Sequence, residues 1–305
     1  MFDRPFTVTE FQFCNPNRYR AENGLLAGAI AGLQDWDGIY RFAYTHTSRS
    51  LKQPVASFGF DTIHDPIQIL AERIIWFLFI RGDASAAKEF MEYGIPAADP
   101  PLRFPLKFQQ LGLFIRIGSR SIDGRRSALV LPAAAENAWK NFSETGKIHS
   151  STGELKLDAK RTHLSFESVK SEGTVLNEGA HEGKVLSVRN VDGFASISLH
   201  SLDGLPLRES RSLLLFHLTN TANSGMKFRS SDQKLLDEWG GLPLLARIGT
   251  AEVELAFPAG KVLALGVDGH VLGEIPVRRS GRGICFDAET NRYAEDAVFC
   301  YHISR

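Results

Sequence analysis

Pro5-Phe6-Thr7-Val8-Thr9-Glu10-Phe11, then Asn15 to Leu33, then Asp35-Trp36-Asp37-Gly38-Ile39-Tyr40-Arg41-Phe42-Ala43-Tyr44, is the stretch whose reading decides the fold. Its first piece is short, β-branched and aromatic, and reads as a strand ending in the carboxylate of Glu10. A period of two places Phe6, Val8 and Glu10 on one face and Thr7, Thr9 and Phe11 on the other. Asn15-Pro16-Asn17 is a turn, and from Tyr19 the spacing becomes helical. Leu26, Ile30 and Leu33 fall at i, i+4 and i+7, with Ala29 beside them, as one apolar stripe. The small residues Ala27, Gly28, Ala29, Ala31 and Gly32 are expected to let this helix approach a sheet closely. Asp35 to Gly38 is a turn and Ile39 to Tyr44 a second strand. Two strands joined by a helix imply a parallel pair with a right-handed crossover.

Downstream, Thr45 to His64 is a polar loop, long for its place, and long loops in compact domains are often functional. Asp65-Pro66 opens a second helix, with Asp suited to the N-cap and Pro to the first helical position. Ile67, Leu70, Ile74, Phe77 and Leu78 form its apolar face, and Gly82 ends it. Pro96, Pro100, Pro101 and Pro105 break up the next segment. From Phe108 short apolar runs dominate, such as Ala128 to Leu131 and Ser212 to Leu218. Asp192-Gly193, Asp203-Gly204 and Asp268-Gly269 punctuate them, a pattern that indicates an antiparallel β-sandwich. The expected fold is α/β plus all-β: β-α units over 1–82, a bridging segment over 83–107, and one or two β-sandwich domains over 108–305.

The chain has 305 residues, 43% hydrophobic and 23% charged, as in an ordinary globular protein. Lys+Arg and Asp+Glu are both 35, which argues against a general grip on nucleic acid or an anionic membrane. Arg278-Arg279-Ser280-Gly281-Arg282 is a local basic run, read as a solvated loop. The three cysteines lack metal-ligand or disulfide-framework spacing, the histidines show no paired spacing, and no cofactor motif is present. Met1 to Pro5 lacks the basic region and apolar run of a signal peptide. Ile74 to Ile80 falls far short of the ~20 residues of a bilayer span. The compartment is left open.

Thr9-Glu10-Phe11, Asn15 to Glu22 and Leu33 to Gly38 together resemble the last quarter of the barrel of clan A retaining glycoside hydrolases. The stretch from Val191 to Leu207, with Ser210 to Leu218 and Ser224 to Met226, resembles the sandwich that follows such barrels. The resemblance implies the last two β-α units of a (β/α)8 barrel, then β-sandwich modules, acting on a β-linked glycoside. It maps the nucleophile onto Glu10. A second carboxyl about 5–5.5 Å away would protonate the leaving oxygen and later activate water. The clan carries that group in an Asn-Glu pair on an earlier strand, which is absent; Asn177-Glu178 lies in sandwich sequence and is read as a surface loop. Tyr44, His46 and Trp36 are the expected substrate-binding residues, since aromatic rings cover the C–H faces of sugars. Phe58 and Phe60 are read as packing, Glu22 as a first-turn helix acid, and Asp35 and Asp37 as turn formers.

Two strands cannot close a barrel. The chain is therefore expected to be a fragment; the competing explanations are half of a split enzyme, whose other chain supplies the missing strands, or a small α/β layer docked on the sandwich. The expected partner is a carbohydrate substrate, with little or no hydrolysis by the chain alone. The alternative is a non-catalytic carbohydrate-binding or structural sandwich protein, which needs an exposed aromatic platform where only Trp139 and Trp239 are available.

Overall fold

The computed structural model describes residues 4–92, 110–118, 132–258 and 260–305. The four prolines of the expected bridge and the run Ala128 to Leu131 lie outside the described residues. Strand accounts for 37% of the chain and helix for 17%. The chain opens with β1 (Thr7–Phe11), α1 (Asn23–Leu33), β2 (Gly38–Arg41) and α2 (Pro66–Ile75). Short strands β3 (Phe90–Glu92) and β4 (Arg116–Gly118) and helix α3 (Ala133–Thr145) follow. Next come β5 (Lys147–His149), β6 (Leu155–Asp158), β7 (His163–Glu167), β8 (Ser171–Leu176), β9 (Gly179–Glu182), β10 (Leu186–Val191), β11 (Ala195–Ser201) and β12 (Ser212–Leu218). An excursion of four strands, β13 (Thr221–Ser224), β14 (Lys227–Phe228), β15 (Leu236–Glu238) and β16 (Gly241–Ala246), precedes the return. The last are β17 (Thr250–Leu255), β18 (Lys261–Leu265), β19 (Val271–Glu274), β20 (Arg278–Arg279), β21 (Ile284–Glu289) and β22 (Cys300–Ser304).

Two antiparallel sheets dominate. One has nine strands in the order β19-β18-β22-β12-β11-β8-β7-β6-β5, the other five in the order β20-β21-β17-β10-β9. They pack face to face: Val188, Val253 and Phe286 of the smaller sheet meet Ile197, Leu215 and Ile303 of the larger in one core. The other face of the larger sheet is covered too. Phe166, Val175 and Phe216 join Leu25, Ile74 and Leu78 of the helical segment in a second core. This explains the unbroken apolar run Leu213 to Phe216. Leu213 and Leu215 serve the first core, Phe216 and Leu218 the second, and a strand buried on both faces has no polar side.

That second core overturns the barrel expectation. The structure is mainly β, its sheets mostly antiparallel, with no parallel β/α barrel pattern among the described residues. β1 and β2 do pair in parallel, but as an isolated two-stranded sheet. The apolar faces of α1 and α2, which a barrel would turn onto its own strands, lie instead on the nine-stranded sheet.

The detail of α1 also differs from the expected stripe. Leu25, Ala29 and Leu33 enter the core, while Leu26 and Ile30 are half-buried beside it. Gly24 and Gly28 face α2 and its terminal turn, and Gly32 the chain that follows it, rather than a sheet. A Cβ on Gly24 would lie 2.9 Å from Ile74, one on Gly28 2.9 Å from Leu78, and one on Gly32 2.6 Å from Ala84. The two helices therefore meet nearly backbone to backbone. α2 starts as its sequence dictates: the Asp65 carboxylate accepts from the Ile67 N–H at 3.2 Å, with Pro66 at the first position. It ends in a π-turn over Trp76–Ile80, and Gly82 takes the left-handed φ of 77° that reverses the chain.

Buried polar contacts fix the helices to the sheets. Arg20, fully buried, donates from Nε to Asp65 Oδ2 at 2.6 Å and from Nη2 to Asp65 Oδ1 at 3.1 Å. The same Nη2 reaches the Thr221 hydroxyl at 2.7 Å and its carbonyl at 2.9 Å, beyond β12. Farther along, the Ser171 hydroxyl donates to Asp83 Oδ2 at 2.5 Å and accepts from His200 Nδ1 at 2.7 Å. The His200 ring stacks on Phe77 at 4.7 Å and 9°.

Two outcomes are expected. Arg20→Met strands the Asp65 carboxylate and lowers unfolding free energy by about 3–5 kcal/mol in urea, whereas Arg20→Met with Asp65→Leu recovers most of it. His217 is fully buried, and neither ring nitrogen has a partner among the described residues. Burial, with the Arg247 charge adding to it, pulls its pKa from 6.5 down to about 4. The unfolded chain then takes up the proton first, so this residue costs stability as pH falls from about 6.5 to about 4. His217→Leu loses no hydrogen bond. Its melting temperature is expected to exceed that of the parent by a margin that widens from pH 7 to pH 5.

Candidate functional site

The site is built at the carboxyl end of the β1–β2 pair. Val8 stands opposite Ile39 and Phe11 opposite Arg41, so Thr9 and Glu10 together face Tyr40 alone. This bulge breaks the expected alternation. Val8 and Phe11 are half-buried, and Thr9 and Glu10 both turn to solvent. Glu10 makes no hydrogen bond or ion pair with any described residue.

Beyond β2 the chain is held by the loop that returns to α2. Ala43 N–H donates to the Phe60 carbonyl at 2.8 Å, Thr62 N–H to that of Ala43 at 3.0 Å, and Ile63 N–H to that of Tyr44 at 3.1 Å. The pairing sets Asp61 against His46. One oxygen, Asp61 Oδ1, receives the His46 backbone N–H at 2.9 Å and its ring Nδ1 at 2.7 Å. A carboxylate only accepts, so Nδ1 carries a proton in this contact. Phe42 meets the His46 ring edge-on at 4.8 Å and Phe58 lies 4.5 Å from it. Phe60 packs on both phenylalanines. Tyr44, Phe58 and Phe60 remain exposed, so this is an open aromatic wall around an oriented imidazole.

Beneath it sits a polar layer. Arg41 lies under the Phe11 ring at 5.2 Å, pairs with Glu72 and donates to the Gln12 side-chain Oε1. Gln12 donates in turn to the Thr62 hydroxyl at 2.5 Å. Burial pulls the Arg41 guanidinium down and pushes the Glu72 carboxyl up, and their mutual attraction offsets part of each shift. Arg41 Nη1 and Asp61 Oδ2 are buried without partners among the described residues, which leaves a donor and an acceptor unspent.

The structure therefore brings Glu10, Tyr44 and His46 to one end of the sheet. Trp36 is at the other end. It precedes β2, packs on Phe6 at 5.8 Å, and is separated from Tyr44 by a strand of roughly 13 Å at ~3.3 Å per residue. Asn177-Glu178 lies in the turn between β8 and β9. Among the described residues at the site, Asp61 and Glu72 are engaged with His46 and Arg41, so Glu10 is the free carboxylate. Trp139 and Trp239 are both half-buried. The buried Asp83, Ser171 and His200 have the composition of a nucleophilic triad but not its order. The serine proton is committed to the aspartate, and substrate has no access. No group of three or more metal-ligating side chains is found among the described residues, and no described helix is long and apolar enough to cross a membrane.

Sequence reasoning missed Gln12, Arg41, Asp61 and Glu72. The length of the 45–64 loop flagged the region, but nothing in the spacing links His46 to Asp61. No family model, no curated protein and no solved structure matches the chain.

Asp61→Asn is expected to disturb the His46 tautomer. In a two-dimensional 15N spectrum the parent shows a protonated Nδ1, and the variant gains the Nε2–H form. An unchanged ring spectrum would show that Asp61 does not hold the imidazole.

Proposed function

We propose that this chain acts on carbohydrate and supplies the nucleophile of a retaining glycoside hydrolase, lacking the acid/base partner and therefore inactive alone. The observation that carries the reading is the free carboxylate of Glu10, set by the bulge at the same end of the sheet as the aromatic wall. Aromatic rings suit the C–H face of a sugar, and His46 Nε2 and the Tyr44 hydroxyl suit its hydroxyl groups. In this reading a Glu10 oxygen attacks the anomeric carbon, and the bond to the leaving oxygen breaks with its electron pair. That oxygen needs a proton from a second carboxyl group, and none stands free beside Glu10 among the described residues.

The same lack of a second carboxyl favours one other reading, non-catalytic carbohydrate binding at the wall. A 2-deoxy-2-fluoro-β-glycosyl fluoride distinguishes them, because fluoride departs without protonation. The Glu10–C1 bond forms as the C1–F bond breaks. The expected result with the isolated chain is no turnover of aryl β-glycosides, but a mass gain of one fluoroglycosyl unit on the peptide containing Glu10. Glu10→Gln abolishes that gain. Sugar binding lost in Tyr44→Ala, without any adduct in the parent, selects the binding reading. The absence of both adduct and sugar binding rejects both.

A further inference from the structure

The stripe of α1 beside the core has its own surroundings. Glu22, Leu26 and Ile30 recur every fourth residue and turn toward a cavity of about 340 Å3. Its far wall is the nine-stranded sheet, through Leu157 of β6, Leu164 of β7 and Val175 of β8, and Leu113 closes one side. Apart from Glu22 the only polar side chain in the lining, among the described residues, is Thr162, whose hydroxyl already donates to the Arg161 carbonyl at 2.7 Å. Glu22 makes no hydrogen bond or ion pair with any described residue.

Size and chemistry restrict the occupant. At about 30 Å3 per water-sized group, the volume takes roughly eleven non-hydrogen atoms. The walls are aliphatic on both sides, so the body of the ligand is apolar. A carboxylate facing such a space is costly unless a donor or a cation meets it. Burial pushes the Glu22 carboxyl up, and no charge among the described residues pulls it back. A cationic ligand supplies the counter-charge that the described residues do not.

We propose that this cavity binds a small amphiphilic amine, its alkyl or aryl-alkyl body lying between α1 and the sheet and its ammonium on the Glu22 carboxylate. The proposal is independent of the carbohydrate reading, since no residue of the β1–β2 end takes part.

The test uses the full chain with octylamine, octanol and octanoate at pH 7, each below its micelle concentration. Titration calorimetry is combined with methyl shifts of Leu26, Ile30, Leu164 and Val175. Octylammonium is expected to bind and to move those methyl signals, with octanoate at least about tenfold weaker because its charge meets a like charge. Glu22→Gln is expected to lower octylammonium affinity about tenfold and remove its advantage over octanol. Leu26→Trp, which fills the space, weakens the amine and the alcohol together. Absence of octylammonium binding, binding without those methyl shifts, or octanoate binding as tightly as the amine would overturn the proposal. The comparison of the three parent-chain ligands needs no variant, so it holds even if a substitution impairs folding.

Discussion

The buried pair of Arg20 and Asp65 is the contact on which the arrangement depends. One guanidinium binds the residue that caps α2 and also the backbone and hydroxyl of Thr221, at the exit from β12. A charge this deep is tolerable only when every donor is answered, so the positions of α1, α2 and the large sheet are mutually constrained. The Asp83–Ser171–His200 chain repeats the device at the far end of α2, where Arg81 closes on Asp83 at 2.9 Å. Held at both ends, α2 cannot slide along the sheet. The glycine contacts then fix the depth at which α1 lies against it.

The candidate site inherits its geometry from that framework. The loop after β2 must return to Asp65, and in doing so it runs beside Ala43 and Tyr44 and brings Asp61 under His46. The imidazole is therefore oriented by a residue whose own place follows from where α2 begins. On β1 the extra residue in the bulge turns Glu10 outward while Phe11 covers Arg41. The aromatic wall and the carboxylate thus reach one end of a two-stranded sheet by separate routes.

Much of the local structure was legible. Asp65-Pro66 announced α2, Gly82 its end, and the Asp-Gly turns the antiparallel strands, because capping and turn preferences act within a few residues. The layer order was not. A strand–helix–strand pattern is shared by barrels and by small units packed on another sheet, and the choice rests on what covers the helices. A clue was present in the unbroken apolar run Leu213 to Phe216, since a sandwich strand with one wet face would alternate. Similarly, period two assigned Glu10 and Val8 to one face, and a one-residue bulge with no sequence signature separated them.

By itself the sequence determined the strand–helix–strand–helix order of the opening segment, the β-rich remainder, and a strand-end carboxylate at Glu10 with Tyr44 and His46 following the next strand. Those follow from periodicity and local backbone chemistry. Only the tertiary structure decided that α1 and α2 lie on a nine-stranded antiparallel sheet, that Asp61 holds His46, that Trp36 stands apart, and that Glu22 faces an apolar cavity. Each of these depends on partners distant in the chain, and burial and hydrogen-bond completion choose such partners only when the layers assemble.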